Sequence, residues 1–166
     1  MNVAHIMSRN PVLVSPETRA PSALRVAHVT GIRHLLVAEN GELMGVVCVC
    51  ELWRASEDES VASRMARPIT ISAASPAPLA RTLMIYHDVD CLPVLRDGHL
   101  AGVVTRRDLR ESGYPVPARV CGRCGATRHV RDVPGIGRGA CHDCRMAAAS
   151  GTVVGASAVT LRPASG

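Results

Sequence analysis

The 166 residues suffice for about one ordinary domain and a small appendage. An apolar share of 47% permits a packed core built without Phe, while no apolar run approaches the roughly 18 residues of a membrane span and no signal-peptide pattern opens the chain; a cytoplasmic protein without a membrane partner is expected. The net charge of +5 is unevenly placed: residues 1–109 balance 11 Arg against 11 acids, whereas residues 110–166 hold 8 Arg against 3, short of the dense stripe of a strong nucleic-acid binder.

In chain order, the first two thirds repeat themselves. Two repeats, 1–56 and 57–112, share a register at a spacing of 57, with Pro11 over Pro68, Val14 over Ile71, Ser15 over Ser72 and Val37 over Val94. Gly45-Val46-Val47-Cys48-Val49-Cys50-Glu51-Leu52 stands over Gly102-Val103-Val104-Thr105-Arg106-Arg107-Asp108-Leu109. Self-similarity at a fixed spacing means one supersecondary unit used twice. Each copy reads as strand, helix, strand, tight turn, strand, helix. Asn40-Gly41 and Asp97-Gly98 occupy the same turn, and both dipeptides favour the two-residue type I′ hairpin, whose central residues need positive φ. Cys48 and Cys50 share a strand face by their spacing and, like Cys91, read as small buried apolar residues rather than redox centres. His34, over Cys91, reads as a structural histidine near the cleft.

In the second copy Ile69-Thr70-Ile71 is a short strand, followed by a loop at 72–78. A helix over Leu79–His87 places Leu79, Ala80, Leu83 and Met84 on one face. Leu92–Leu95 and Leu100–Val104 are strands joined at the Asp97-Gly98 turn, and a final helix starts near Thr105. Thr105-x-x-Asp108 has the spacing of a capping box, so the pair starts that helix. The same helix start presents unpaired N–H groups to an anion, to which the Thr105 hydroxyl adds a donor. Asp108, one turn on, has a carboxylate suited to two ribose hydroxyls. Arg106 and Arg107 supply charge to a polyphosphate. The cap and the ligand role are compatible.

Two copies of this β-α-β-β-α pattern, each ending in Gly-h-h-[Thr/Ser]-x-x-[Asp]-h (h, hydrophobic), with the Leu92-Pro93-Val94 strand, resemble the cystathionine-β-synthase (CBS) domain pair, or Bateman module. The resemblance implies an α+β fold of tandem repeats about a pseudo-twofold axis, and clefts that bind AMP, ADP, ATP or S-adenosylmethionine. It also implies a homodimer. By the same resemblance, adenine lies against Cys91, Leu92 and Pro93, with backbone contacts from Ile69 and Thr70. The first copy departs from the pattern. Cys48 offers only a weak donor, Glu51 has a longer stem, and Leu36 replaces the proline. One nucleotide site per chain is expected.

Tyr114-Pro115-Val116-Pro117 cannot continue a helix and marks a linker at 113–119. Within 120–148, Cys121-x2-Cys124 and Cys141-x2-Cys144 are two knuckles that together offer four thiolates, with Gly122 and Gly125 permitting the bends. Seven cysteines without an export signal read as metal ligands before disulfides. The unit resembles a zinc ribbon or a rubredoxin-like knuckle pair; zinc is preferred, although iron suits four thiolates equally. A metal tetrathiolate would leave a net charge of about +3. His129 and His142 are not needed as ligands. Arg119, Arg123, Arg128, Arg131, Arg138 and Arg145 either contact phosphates or form a solvated basic surface. Residues 149–166 are either a tail or an added strand near Thr152–Leu161.

No nucleophile–base–orienter set, open metal site or Walker-type loop is visible, so no enzyme is expected. The reading is a regulatory sensor of an adenosyl nucleotide that passes its signal to the zinc ribbon or a partner. The alternatives are a nucleic-acid-binding regulator using the basic ribbon with the repeats as a dimerisation scaffold, and a rubredoxin-like iron redox protein.

Overall fold

The computed structural model describes residues 1–122, 124–127, 130–133 and 137–150. It divides into two compact units, Met1–Val116 and Pro117–Gly166. In the first unit the order is α1 (Val3–Ile6), β1 (Leu13–Val14), α2 (Ala20–Thr30), β2 (His34–Glu39), β3 (Glu42–Cys48) and α3 (Val49–Leu52). After a 3-10 turn at Val61–Ser63 come β4 (Ile71–Ser72), α4 (Ala77–Tyr86), β5 (Cys91–Arg96), β6 (His99–Thr105) and α5 (Arg106–Glu111). Each repeat forms a three-stranded sheet, β1-β2-β3 and β4-β5-β6, with the first pair parallel and the second antiparallel.

The sheet register repeats along with the sequence pattern. His34 faces Cys48 as Cys91 faces Thr105, and the bulges at Val37/Ala38 and Val94/Leu95 sit at equivalent positions. Both hairpin turns take the expected form, with φ of 50° and 82° at Asn40-Gly41 and 51° and 80° at Asp97-Gly98. Asp88 (φ 57°) holds the left-handed conformation that Gly31 (φ 68°) holds in the first repeat, which Asp tolerates better than most residues.

The helices that cover the sheets bury small residues. Ala20, Ala23 and Ala27 on α2 match Ala77, Ala80 and Met84 on α4. Leu83 is partly buried against this face, but Leu79 is not on it and stays 41% exposed. The helix starts at Ala77, two residues before the sequence places it, because Pro78 is suited to a first turn; the buried row is therefore 77, 80 and 84. Cys50 also departs from its expected strand face. The chain turns from β3 into α3 at Val49 and carries Cys50 with it.

The leading segments of the two repeats are exchanged. Val3 and Met7 belong to the core of the second repeat, with Leu92, Val94, Val104 and Leu109, and α1 is tied there by Val3 N to Ser75 O (2.8 Å) and Ala4 N to Ala73 O (2.9 Å). Val61 reciprocally enters the first core and donates to Thr18 O at 2.8 Å. Each wholly buried Val contributes roughly 1.5–3 kcal/mol where it docks. Behind these anchors, Ser8 pairs with Val103 on β6 and Ala66 with Val46 on β3.

That crossing requires glycine. A Cβ on Gly102 would meet Ser8 O at 2.5 Å and Met7 Sδ at 3.0 Å, and one on Gly45 would meet Met65 Sδ at 2.8 Å and Ala66 O at 2.9 Å. Gly102→Ala is expected to destabilise the first unit by about 1–3 kcal/mol, more than Gly98→Ala would through its turn alone. Thermal unfolding of the two variants checks the order.

In the second unit, β7 (Arg131–Val133) and β8 (Gly137–Ala140) form an antiparallel hairpin and α6 covers His142–Ala149. The proposed strand near Thr152–Leu161 lies outside the described residues. Tyr114 and Val116, read from the sequence as linker, pack against the second repeat's core, and Arg81 Nε donates to Pro115 O at 2.9 Å.

Candidate functional site

Thr105 ends β6 in an extended conformation and caps α5. Its N–H and its hydroxyl both donate to Asp108 Oδ2, each at 2.7 Å, and Asp108 N–H returns to Thr105 Oγ1 at 3.4 Å. The capping box is therefore formed. Asp108 Oδ1 makes no hydrogen bond among the described residues, so half of the carboxylate remains available beside the helix start.

This corner opens onto a cavity of about 630 Å³ within the first unit, inside the size range of small-ligand sites. Thr105, Arg106, Arg107 and Asp108 line one wall with Cys91. The opposite wall comes from the first repeat: Ser8, Asn10, Pro11 and Val12 of the crossing segment, then Gly31, Ile32, Arg33, His34 and Leu36. Ile69, Thr70, Leu92 and Pro93 are not among the lining residues. Leu92 and Pro93 are buried, and Leu92 is in the second repeat's core. The exchange explains the substitution, because it brings Val12 and Leu36, at the positions of Ile69 and Pro93, to the Thr105 corner. A shift of 57 applied to the expected residues would have found them.

Sequence reasoning placed Arg106 and His34 near the cleft but missed Asp90, which stands between them. Asp90 Oδ1 lies 2.6 Å from Arg106 Nε and Oδ2 lies 3.8 Å from His34 Nε2. Arg106 and Asp90 are an ion pair at the cavity's edge. Asp90 thus stands between Arg106 of the second repeat and the His34 imidazole of the first. Arg107 is paired with Glu111 at 2.8 Å, and that hydrogen bond holds the Glu111 carboxyl below its ordinary range. Arg33 contributes an exposed guanidinium to the opposite wall. The equivalent corner of the first repeat carries Cys48, whose Sγ accepts from Cys50 N–H at 3.4 Å, and Glu51, 3.8 Å from Arg54.

In the second unit, the four sulfurs of Cys121, Cys124, Cys141 and Cys144 all lie within 4.8 Å of one another. A zinc tetrathiolate with bonds of about 2.3 Å has S–S edges of about 3.8 Å, so the donor set fits a tetrahedral metal. Local folding explains the convergence. Gly125 N–H closes the first knuckle onto Cys121 O at 2.9 Å, Gly122 N–H reaches Gly139 O on β8, and Cys141 caps α6 so that Cys144 follows one turn later. Burial, with the neighbouring thiols behind it, pushes the Cys144 thiol up to about 12 and raises Cys141 as well. Such a cluster favours a cation that neutralises the thiolates.

Of the arginines nearby, Arg145 is buried rather than part of a solvated surface, and Arg119 donates to Val130 O at 3.1 Å. Arg123, Arg128 and His129 lie outside the described residues. Among those described, no helix is long and apolar enough to cross a membrane.

Residues 3–52 and 59–113 match the CBS domain family. An inosine-5′-monophosphate dehydrogenase from Thermoplasma acidophilum is 32% identical over 110 residues, 63% of this chain; the chain spans about a fifth of that relative, 21% of its length. A CBS-domain pair solved in complex with 5′-methylthioadenosine and S-adenosyl-L-methionine superposes with a TM-score of 0.64 at 21% identity, covering 68% of this chain and 95% of its own. CBSX2, solved in complex with AMP, superposes with a TM-score of 0.61 at 23% identity, over 68% of this chain and 95% of its own.

Proposed function

The chain belongs to the CBS-domain family, and from that premise we propose that it is a non-enzymatic, cytoplasmic regulatory sensor that binds one adenosyl ligand in the Thr105–Asp108 cavity. The observation that carries the reading is the cavity itself: a space of about 630 Å³ between the repeats, with a half-committed carboxylate at one corner and cations from both repeats on its walls. Asp108 Oδ1 accepts from the ribose hydroxyls. The Thr105 corner, Arg106, Arg33 and His34 receive the phosphate, and Val12, Leu36 and Cys91 contact the base. The solved relatives that hold AMP, 5′-methylthioadenosine or S-adenosyl-L-methionine support this ligand class. Calorimetric titration with AMP, ADP, ATP, S-adenosylmethionine and 5′-methylthioadenosine tests it, with one ligand per chain expected; binding of none of them overturns it.

Asp90 makes the reading sharper. It compensates Arg106 and stands near His34, so an incoming phosphate must compete with it. Asp90→Asn is expected to tighten AMP by roughly two- to fivefold, the equivalent of about 0.5–1 kcal/mol for a partly exposed pair, and to leave phosphate-free 5′-methylthioadenosine unchanged. The same titrations measure both.

The output in this reading is the second unit, with zinc held by Cys121, Cys124, Cys141 and Cys144, or a protein that it contacts. Ligand binding biases whichever conformation it prefers, and that bias is the signal. The protein acts as a homodimer; Val29 and Tyr86, at equivalent ends of α2 and α4, are exposed apolar residues suited to its interface. Light scattering at twice the chain mass checks this assembly.

A further inference from the structure

We propose that Cys48 and Cys50 form a reversible dithiol–disulfide site at the corner of β3 and α3. The turn at Val49 removes Cys50 from the strand and aims both side chains at one place. Their sulfurs stand 2.7 Å apart, about 0.7 Å beyond the length of an S–S bond. Neither is in a disulfide here. Only one residue separates the two cysteines, so closing the ring orders almost no additional chain. Cys50 is fully buried and Cys48 is 6% exposed, which makes Cys48 the sulfur that a small oxidant reaches first.

A peroxide is small enough. The Cys48 thiolate attacks one peroxide oxygen, the O–O bond breaks, and hydroxide leaves as water after taking a proton, giving a sulfenic acid. The Cys50 thiolate then attacks that sulfur; the S–O bond breaks and the second water departs. Two thiols and one hydrogen peroxide become one disulfide and two waters, each sulfur losing one electron and each oxygen gaining one. A dithiol reductant reverses the step by exchange.

The corner has a direct route to the cavity wall. Cys48 is paired in register with His34, and Val49 N–H donates to Arg33 O at 2.9 Å. A disulfide clamps the strand end that positions both cavity residues. The oxidation itself needs no nucleotide, so its failure and that of the adenosyl reading are separate results.

Trypsin isolates the site. With no lysine in the chain, cleavage after Arg33 and Arg54 releases residues 34–54, whose only cysteines are Cys48 and Cys50. The full-length, metal-loaded protein is treated with stoichiometric hydrogen peroxide, alkylated under denaturing conditions and digested. The expected result is a 34–54 peptide lighter by two hydrogens, about 2 Da, carrying no alkyl group and restored to a doubly alkylated form by prior dithiothreitol. In Cys50→Ser, which cannot close the ring, Cys48 should instead be trapped by dimedone as a sulfenic acid. A 34–54 peptide that stays doubly alkylated, or a cross-link from it to the 82–96 peptide carrying Cys91, overturns the proposal. Because the wild-type digest decides the matter alone, a Cys50→Ser chain that fails to fold does not leave it open.

Discussion

Removing the metal is expected to unfold the second unit and leave Met1–Val116 folded. Its described core is Cys121, Val130, Cys141 and Cys144, with Ala126 against it, so three of its four fully packed members are themselves proposed ligands and only Val130 is an ordinary apolar anchor. One buried Val cannot offset the conformational entropy lost in ordering a segment of this length. Structural zinc sites supply on the order of 10 kcal/mol or more. The purified chain should therefore carry one zinc, and chelation or Cys121→Ser should open Arg119 and Arg145 to trypsin while the first unit's amide protection persists. Binding must also displace protons from thiols that burial and crowding hold above the usual range. The protonated form competes with the metal, so affinity rises with pH and falls in acid, and the free zinc needed for half-loading drops as pH increases. A metal-free chain with undiminished protection beyond Pro117 would defeat this account, and a visible absorption band would identify iron instead.

The parts of this molecule that were legible in the sequence are those fixed by local chemistry. Asn40-Gly41 and Asp97-Gly98 dictate their turns because few other dipeptides tolerate two positive φ values in succession, and Thr105 and Asp108 close a cap because their spacing leaves them one turn apart. The exchange of leading segments was not legible. Val3, Met7 and Val61 are apolar residues that would fill either core equally well by composition, and only the docking of Ser8 on Val103 and Ala66 on Val46 shows which core each one enters. From that one hidden step it follows that Val12 and Leu36, at the positions of Ile69 and Pro93, line the cavity. Leu79 was misjudged for a different reason: the buried row centres on Ala77, Ala80 and Met84, and at about 100° per residue Leu79 falls outside it, beyond the partly buried Leu83. The Cys48–Cys50 contact was hidden because a spacing of two predicts a shared face only while the strand continues, and here it ends between them.

Asp108→Ala is expected to lower affinity for AMP by at least about 30-fold, since hydrogen bonds to a charged group contribute about 1.5–3 kcal/mol and the carboxylate would face both ribose hydroxyls. The same variant also removes the cap, because Oδ2 accepts both Thr105 donors at 2.7 Å, and this costs about 1 kcal/mol of stability. A loss of binding in Asp108→Ala alone thus has two explanations. Asp108→Asn separates them. Its amide oxygen can still accept from Thr105 N–H and hydroxyl, so the melting temperature should stay near that of the wild type, while the atom at the Oδ1 position becomes a donor that cannot accept from ribose. Affinity should then fall more than about tenfold with the cap intact. If Asp108→Asn binds AMP as tightly as the wild type, Asp108 serves only the helix start and the ribose contact is wrong. If it binds poorly at unchanged stability, one carboxylate is performing both tasks through different oxygens. At the equivalent corner of the first repeat the Cys48 sulfur accepts from Cys50 N–H, and the Glu51 carboxylate pairs with Arg54. Glu51→Gln should accordingly leave AMP affinity and stoichiometry unchanged.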